Sequence, residues 1–208
     1  MIIANPYTAA VVCAAGGYVL GSIPFGVIAT RLGGVGDLRQ IGSGNIGATN
    51  VLRTGRRDLT LITLIGDGGK GAAAVLLALW LLGSADFAAI AGGAAFLGHL
   101  FPVWLGFKGG KAVATFFGTM IAIAWPAGLA AGATWIVMAA IFRRSSLAGL
   151  TAAALAPLYV FLLDQAPIAK LWLAAFMAVL IFIRHHENIR RLLKGEEPRI
   201  GATAATAK

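Results

Sequence analysis

Long apolar runs alternate with short polar stretches along all 208 residues of this chain. Residues 1–30 contain no Asp, Glu, Lys or Arg, and the stretch Ala9 to Ala29 matches the roughly 20 residues that cross a hydrocarbon core. Pro24 is expected to kink or break the end of that span. A second span is predicted from Leu59 to Leu82, interrupted by the glycine-rich stretch Gly66 to Gly71, and a third from Phe87 to Trp104. Ala112 to Phe142 is free of charge. As one helix it would be about 46 Å long against a core of about 30 Å. Trp125-Pro126-Ala127-Gly128 at its middle splits it into two short spans, with Pro126 opening the second. Spans six and seven follow at Ser145–Leu163 and Ile168–Ile183. The fold class is therefore an all-α integral membrane protein of about seven transmembrane helices. It forms one domain over residues 1–208, with a disordered tail from about residue 200.

Composition supports that class. Hydrophobic residues make up 59% and charged residues 12%, against about 45–50% and about 25% in soluble domains. Mean hydropathy is +0.84. The single cysteine, Cys13, excludes a disulfide framework or a cysteine-based metal site. No basic segment precedes the first apolar run, so no cleaved signal peptide is expected. The net charge of +9 does not point to nucleic acid, which requires a basic face on a folded soluble domain. Here the cations cluster between apolar runs. With the N-terminus outside and the C-terminus cytoplasmic, every Lys and Arg except Lys70 and Lys170 falls on the inner side, as the positive-inside rule demands. Reading 112–142 as one span would separate Arg143-Arg144 from the basic tail across the membrane. The glycine- and arginine-rich loops then share the cytoplasmic face, where a site for anionic substrates can form.

The most informative loop is Gly42 to Arg53, Gly-Ser-Gly-Asn-Ile-Gly-Ala-Thr-Asn-Val-Leu-Arg. Gly42, Gly44 and Gly47 permit positive φ and close ligand approach, and successive N–H groups in such a loop can form an anion nest. Ser43, Asn45, Thr49 and Asn50 add short hydrogen-bonding groups, and Arg53 adds a fork that matches phosphate. Neither Walker nor dinucleotide spacing is present, and by itself the composition also suits a flexible membrane-edge loop. Asp67 and Lys70 share one helix face within the second span. Charges at that depth are usually paired and functional, although a structural ion pair explains them equally. Lys108-Gly109-Gly110-Lys111 precedes a helix and suits phosphate or a positive-inside anchor, with Lys111 nearer the helix. His99, His185 and His186 have no aspartate five positions on, so the His-x4-Asp pair of soluble-type glycerolipid acyltransferases is missing. No serine elbow or zinc motif occurs. Arg184 to Gly195 reads as a short helix stopped by Gly195. A lipid anchor would explain its cations but not Asn188.

Together these pieces resemble one family, the bacterial membrane acyltransferases that use acyl phosphate to acylate glycerol 3-phosphate. The matching stretches are Gly21 to Gly26, Gly42 to Asn50 with Arg53, Asp67 with Lys70-Gly71, Gly98-His99, Lys108 to Lys111, and Arg184-His185 with Glu187 to Arg191. The resemblance implies acyl transfer to the sn-1 hydroxyl of glycerol 3-phosphate, giving lysophosphatidate and phosphate in the bacterial plasma membrane. It implies no cofactor or metal, and a functional link to the enzyme that forms acyl phosphate. A monomer is expected, and the partners are the two substrates and the bilayer, not nucleic acid. By resemblance Ser43, Gly44, Asn45, Gly47, Thr49, Asn50 and Lys111 hold acyl phosphate. Arg53, Lys111, Arg144, Ser145 and Asn188 hold glycerol 3-phosphate. Ser43, Arg53 and Lys111 are the catalytic candidates, with Asp67, Lys70, His99 and His185 as further ones. With no histidine–carboxylate pair, the donor phosphate is the expected proton acceptor, and no acyl-enzyme forms. A transporter of a phosphorylated solute or lipid is the competing class. Against it stand the lack of an internal repeat and the one-sided placement of polar motifs.

Overall fold

The computed structural model describes residues 5–164 and 168–201, so expectations for the remaining residues, the tail beyond 201 included, lie outside it. Ten α-helices occur among the described residues: α1 Pro6–Gly21, α2 Phe25–Leu32, α3 Ala48–Leu52, α4 Arg57–Leu82, α5 Ala85–Leu100, α6 Val113–Ile123, α7 Trp125–Phe142, α8 Ser145–Leu163, α9 Ile168–Arg184 and α10 His186–Lys194. Asn5 caps α1 by accepting from the Tyr7 N–H at 2.8 Å, with Pro6 in the first turn. Pro24 divides α1 from α2, as its missing N–H and ring sterics require. The break between α6 and α7 falls at Ala124, beside Trp125-Pro126 as read from the sequence. Gly195 ends α10 in the left-handed conformation.

Two expectations change. Fewer than seven helices are long enough to cross: five qualify, or six if α9 and the 64° bent α10 count as one. Helix α6 has 11 residues and rises only about 16 Å. The second span is also not interrupted. Helix α4 runs unbroken for 26 residues through Gly66–Gly71. Gly66 and Gly71 serve packing instead, since a Cβ there would strike Phe25 of α2 and Thr115 and Thr119 of α6. A Cβ on Gly118 of α6 would strike the Gly68 carbonyl, and one on Gly21 of α1 would strike the Ala95 carbonyl of α5. Small residues at such crossings let apolar helices pack when no hydrophobic drive separates them from lipid. The core between α4, α5, α6, α8 and α9 contains Phe96, Leu100, Phe116, Met120, Met177 and Ile181. Leu61, Ile65, Trp80, Phe161 and Trp172 point outward, as expected of a lipid-facing surface.

Candidate functional site

Four connecting segments meet at one end of the helices: 42–53, 109–112, 143–146 and 184–201. They enclose a cavity of about 370 Å³ and a wider mouth of about 990 Å³. Ser43, Asn45, Arg53, Lys111 and Arg191 line both. The inner cavity also has an apolar arm of Leu64, Phe117, Trp135 and Ile136.

The 42–53 loop is organised on Asn50, which is buried. Its Nδ2 donates to the Ile41 and Asn45 carbonyls at 2.9 and 2.8 Å, and to that of Leu38 at 3.2 Å. Its Oδ1 accepts from the Ser43 N–H at 3.1 Å and hydroxyl at 3.3 Å. Gly42 and Gly44 adopt φ of 55° and 69°. Gly47 does not: its φ is −87°, and its N–H donates to Asn45 Oδ1 at 3.1 Å. Asn50 therefore spends its amide on the loop itself. The side chain of Arg53, at the end of α3, makes no hydrogen bond or ion pair among the described residues and faces both cavities.

The glycine loop lies directly on His99. Gly109 and Gly110 donate to the carbonyls of Leu100 and His99 at 3.2 and 3.1 Å, and a Cβ on Gly110 would meet the His99 ring. Ala112 then takes φ of 58°, a costly conformation for a residue with a Cβ. Lys111 precedes it, turned into the cavity, and donates to Asn188 Oδ1. Burial holds the Lys111 ammonium down at about 8; Glu197 and Glu187 act to raise it, Arg191 and Arg184 to lower it.

Helix α10 folds over at His185. Its buried ring donates from Nδ1 to the Ile181 carbonyl at 2.8 Å, leaving Nε2 as an acceptor. Burial first, then Lys111, lowers its pKa to about 4, so the ring is neutral at pH 7. The segment beyond α10 returns across the cavity. Arg144 donates to the Glu197 and Gly195 carbonyls at 3.3 and 3.4 Å, and the Ile200 N–H to the Arg143 carbonyl at 2.7 Å. Arg144 thus docks the tail and lies outside the cavity lining. Glu197 is buried. Its Oε1 accepts from Ser146 and from Asn188 Nδ2, each at 2.6 Å, and its Oε2 from Arg191 at 2.7 Å. Burial alone would raise this carboxyl, but those three bonds carry it below the ordinary glutamate value.

Of the residues singled out from sequence, Ser43, Asn45, Gly47, Thr49, Asn50, Arg53, Asp67, His99, Lys111, Ser145, His185 and Asn188 line the inner cavity. Gly44 lines the mouth. Lys70 lies beneath, donating to Asp67 Oδ1 at 2.9 Å and to the Ile23 carbonyl at 2.8 Å. One expectation is overturned: a histidine does face a carboxylate. His99 Nδ1 lies 3.4 Å from Asp67 Oδ1 without a hydrogen bond between them, an approach made between helices α4 and α5 that no local spacing reveals. Ser146 and Glu197 were not found by motif. Ser146 sits beside the expected Ser145. The only signal for Glu197 is an acidic pair in a basic tail, just past the Gly195 stop.

A buried, cationic, loop-built pocket with an apolar arm, set in a membrane helix bundle, defines a protein that handles an anionic amphiphile. The comparisons narrow that class. Residues 11–195 match the glycerol-3-phosphate acyltransferase family. The chain is 69% identical over 187 residues to a glycerol-3-phosphate acyltransferase of Caulobacter vibrioides, covering 89% of this chain and 85% of that one. It is 61% identical over 189 residues to that of Cereibacter sphaeroides, covering 91% and 89%. The crystal structure of PlsY, an integral membrane glycerol 3-phosphate acyltransferase in its glycerol 3-phosphate form, superposes with a TM-score of 0.86 at 40% identity. It covers 92% of this chain and 96% of that one. A lysophosphatidic acid form of the same enzyme gives 0.83 at 36% identity, covering 95% and 97%. The chain belongs to the glycerol-3-phosphate acyltransferase family.

Proposed function

We propose that this protein transfers a fatty acyl group from acyl phosphate to the sn-1 hydroxyl of glycerol 3-phosphate, releasing lysophosphatidate and phosphate at a bacterial plasma membrane. The observation that carries this reading is the continuity of the inner cavity: an anion-binding head opens directly into an apolar arm. An acyl tail suits the arm, and two phosphates suit the head.

Ser43, Asn45 and the Gly47–Thr49 backbone take the donor phosphate, with Gly44 at the mouth and Lys111 shared. Arg53, Lys111, Ser145 and Asn188 take glycerol 3-phosphate. Asn50 positions Ser43, and Arg144 fixes the tail. The glycerol hydroxyl oxygen attacks the acyl carbonyl carbon, the carbon–oxygen bond to phosphate breaks, and the hydroxyl proton passes to the departing phosphate. His185, with a pKa near 4, is too weak a base to hold that proton at pH 7. Its Nε2 serves to orient the hydroxyl. Positioning and fixed positive charge supply the acceleration.

The site faces the cytoplasm in this reading, with the N-terminus outside. Lys111 before α6 and Ser145 after α7 line one cavity, which supports α6 and α7 entering and returning on one side. The test is purified protein in detergent with radiolabelled glycerol 3-phosphate and palmitoyl phosphate. Labelled lysophosphatidate formed without any sealed compartment supports an enzyme. Its absence, with substrate accumulation in proteoliposomes instead, overturns the reading in favour of a transporter.

A further inference from the structure

We infer that Glu197 is a positioning residue of this site: its carboxylate turns the Asn188 amide so that the oxygen faces Lys111, and it provides the counter-charge that keeps Lys111 a cation. The inference rests on the reading that Lys111 and Asn188 hold substrate. A carboxylate only accepts hydrogen bonds and an ammonium only donates them. Asn188 lies between the two. Its Nδ2 donates to Glu197 Oε1 at 2.6 Å, so Oδ1 is left to accept from Lys111. Reversing the amide would set donor against donor at one end and acceptor against acceptor at the other. Glu197 therefore fixes the polarity of a group it does not belong to by sequence. Ser146 and Arg191 hold the carboxylate in place, and Arg144 holds its backbone.

The charge matters as much as the hydrogen bond. Lys111 is faced by Glu197 from the tail, by Arg191 and Glu187 from α10, and by Arg184 and His185 from the end of α9, while Arg53 from α3 and Arg199 from the tail line the same cavities. Glu187 is largely exposed, so solvent screens it. Glu197 is 8% exposed, and its pull is little screened. Without it Lys111 is left in a buried site dominated by arginines, which favours the neutral amine.

The test is the pH dependence of kcat/KM for glycerol 3-phosphate between pH 6 and 10, with Tm measured on every variant. The wild-type alkaline limb is expected near pH 8, where Lys111 loses its proton. Glu197→Gln keeps the side-chain shape and should move that limb down by about half to one pH unit. Glu197→Asp keeps the charge and should leave it in place. Arg184→Gln removes an opposing cation that does not touch Glu197 and should move it up. A structural lesion would not shift the limb in opposite directions for opposite charges. An unmoved limb in folded Glu197→Gln overturns the inference while leaving the substrate assignment standing. If Glu197→Gln does not fold, Glu197→Asp decides the matter: a limb that moves down although the carboxylate is kept overturns the inference. A Lys111→Ala variant with wild-type KM overturns the substrate assignment itself.

Discussion

Arg53→Lys separates substrate binding from membrane anchoring. The Arg53 guanidinium has no hydrogen-bond or ion-pair partner among the described residues, and it faces both cavities. Its fork is available to a phosphate, and lysine keeps the charge but cannot reproduce a bidentate pair. Losing one charge-assisted contact of about 1.5–3 kcal/mol corresponds to roughly 10–150-fold weaker binding. The KM for glycerol 3-phosphate should rise by that factor. Because no internal bond is lost, stability should stay within about 0.5 kcal/mol of wild type. Arg56 is the control. Its guanidinium is engaged by Asp58 at 2.6 and 3.0 Å and by the Gly33 carbonyl at 2.9 Å, on the exposed side of the loop. Arg56→Lys should leave KM unchanged. The assay is steady-state kinetics in detergent at saturating palmitoyl phosphate, alongside thermal unfolding. Equal, small KM changes at both positions would refute the reasoning, and so would a loss of Tm in Arg53→Lys that accounts for its loss of activity.

Ser43 has an amide oxygen as its hydrogen-bond partner and no base among the described residues, so incubation with labelled acyl phosphate alone should leave no label on denatured protein. Ser43→Ala should keep measurable turnover; retained label that disappears in Ser43→Ala contradicts direct transfer. Lys70→Met strands the buried Asp67 carboxylate and should cost about 3–5 kcal/mol, most of it recovered in Asp67→Asn/Lys70→Met; a single variant as stable as wild type would show that the pair is not coupled. In a Cys13→Ser background, cysteines at Thr54 and Arg143 should react with an impermeant thiol reagent only after cytoplasmic access is opened. A cysteine at Ser84 should react from outside, and labelling of Arg143 and Ser84 from the same side rules out the proposed topology.

The apolar spans were legible because the hydrocarbon core leaves few alternatives: a long charge-free stretch must be helix, since lipid supplies no partner for an unpaired backbone group. The same argument, carried further, would have corrected the one misread span. Four glycines between Gly66 and Gly71 each weaken an isolated helix by about 1 kcal/mol. Within a bilayer, breaking α4 there would cost more than keeping it, and the close approach of α6 to Gly71 uses its missing side chain. The Trp125-Pro126 break was legible for a different reason. Proline at the first turn of α7 gives up an N–H that would be unpaired anyway, so the chain can turn there at little cost.

The site was legible where its chemistry is local and hidden where it is not. The loop from Gly42 to Arg53 is a self-contained unit, closed by Asn50 over backbone carbonyls between Leu38 and Asn45, and a reading of short spacings can find such a unit. It could not tell that Asn50 closes the loop while Ser43 faces the cavity, because both residue types suit either task. Asp67 and His99 belong to different helices, and the small residues that bring α4 and α5 to α1 and α6 decide that they meet. A search for histidine and aspartate at fixed separation therefore misses a pair formed by packing. Glu197 is the extreme case. Its partner Ser146 comes from α8, and Asn188 and Arg191 come from α10. What identifies it is a requirement of charge, not a spacing. Lys111, Arg184 and Arg191 converge on one buried region, and cations gathered out of water need an acceptor among them. The tail supplies one, which makes the segment past Gly195 part of the site.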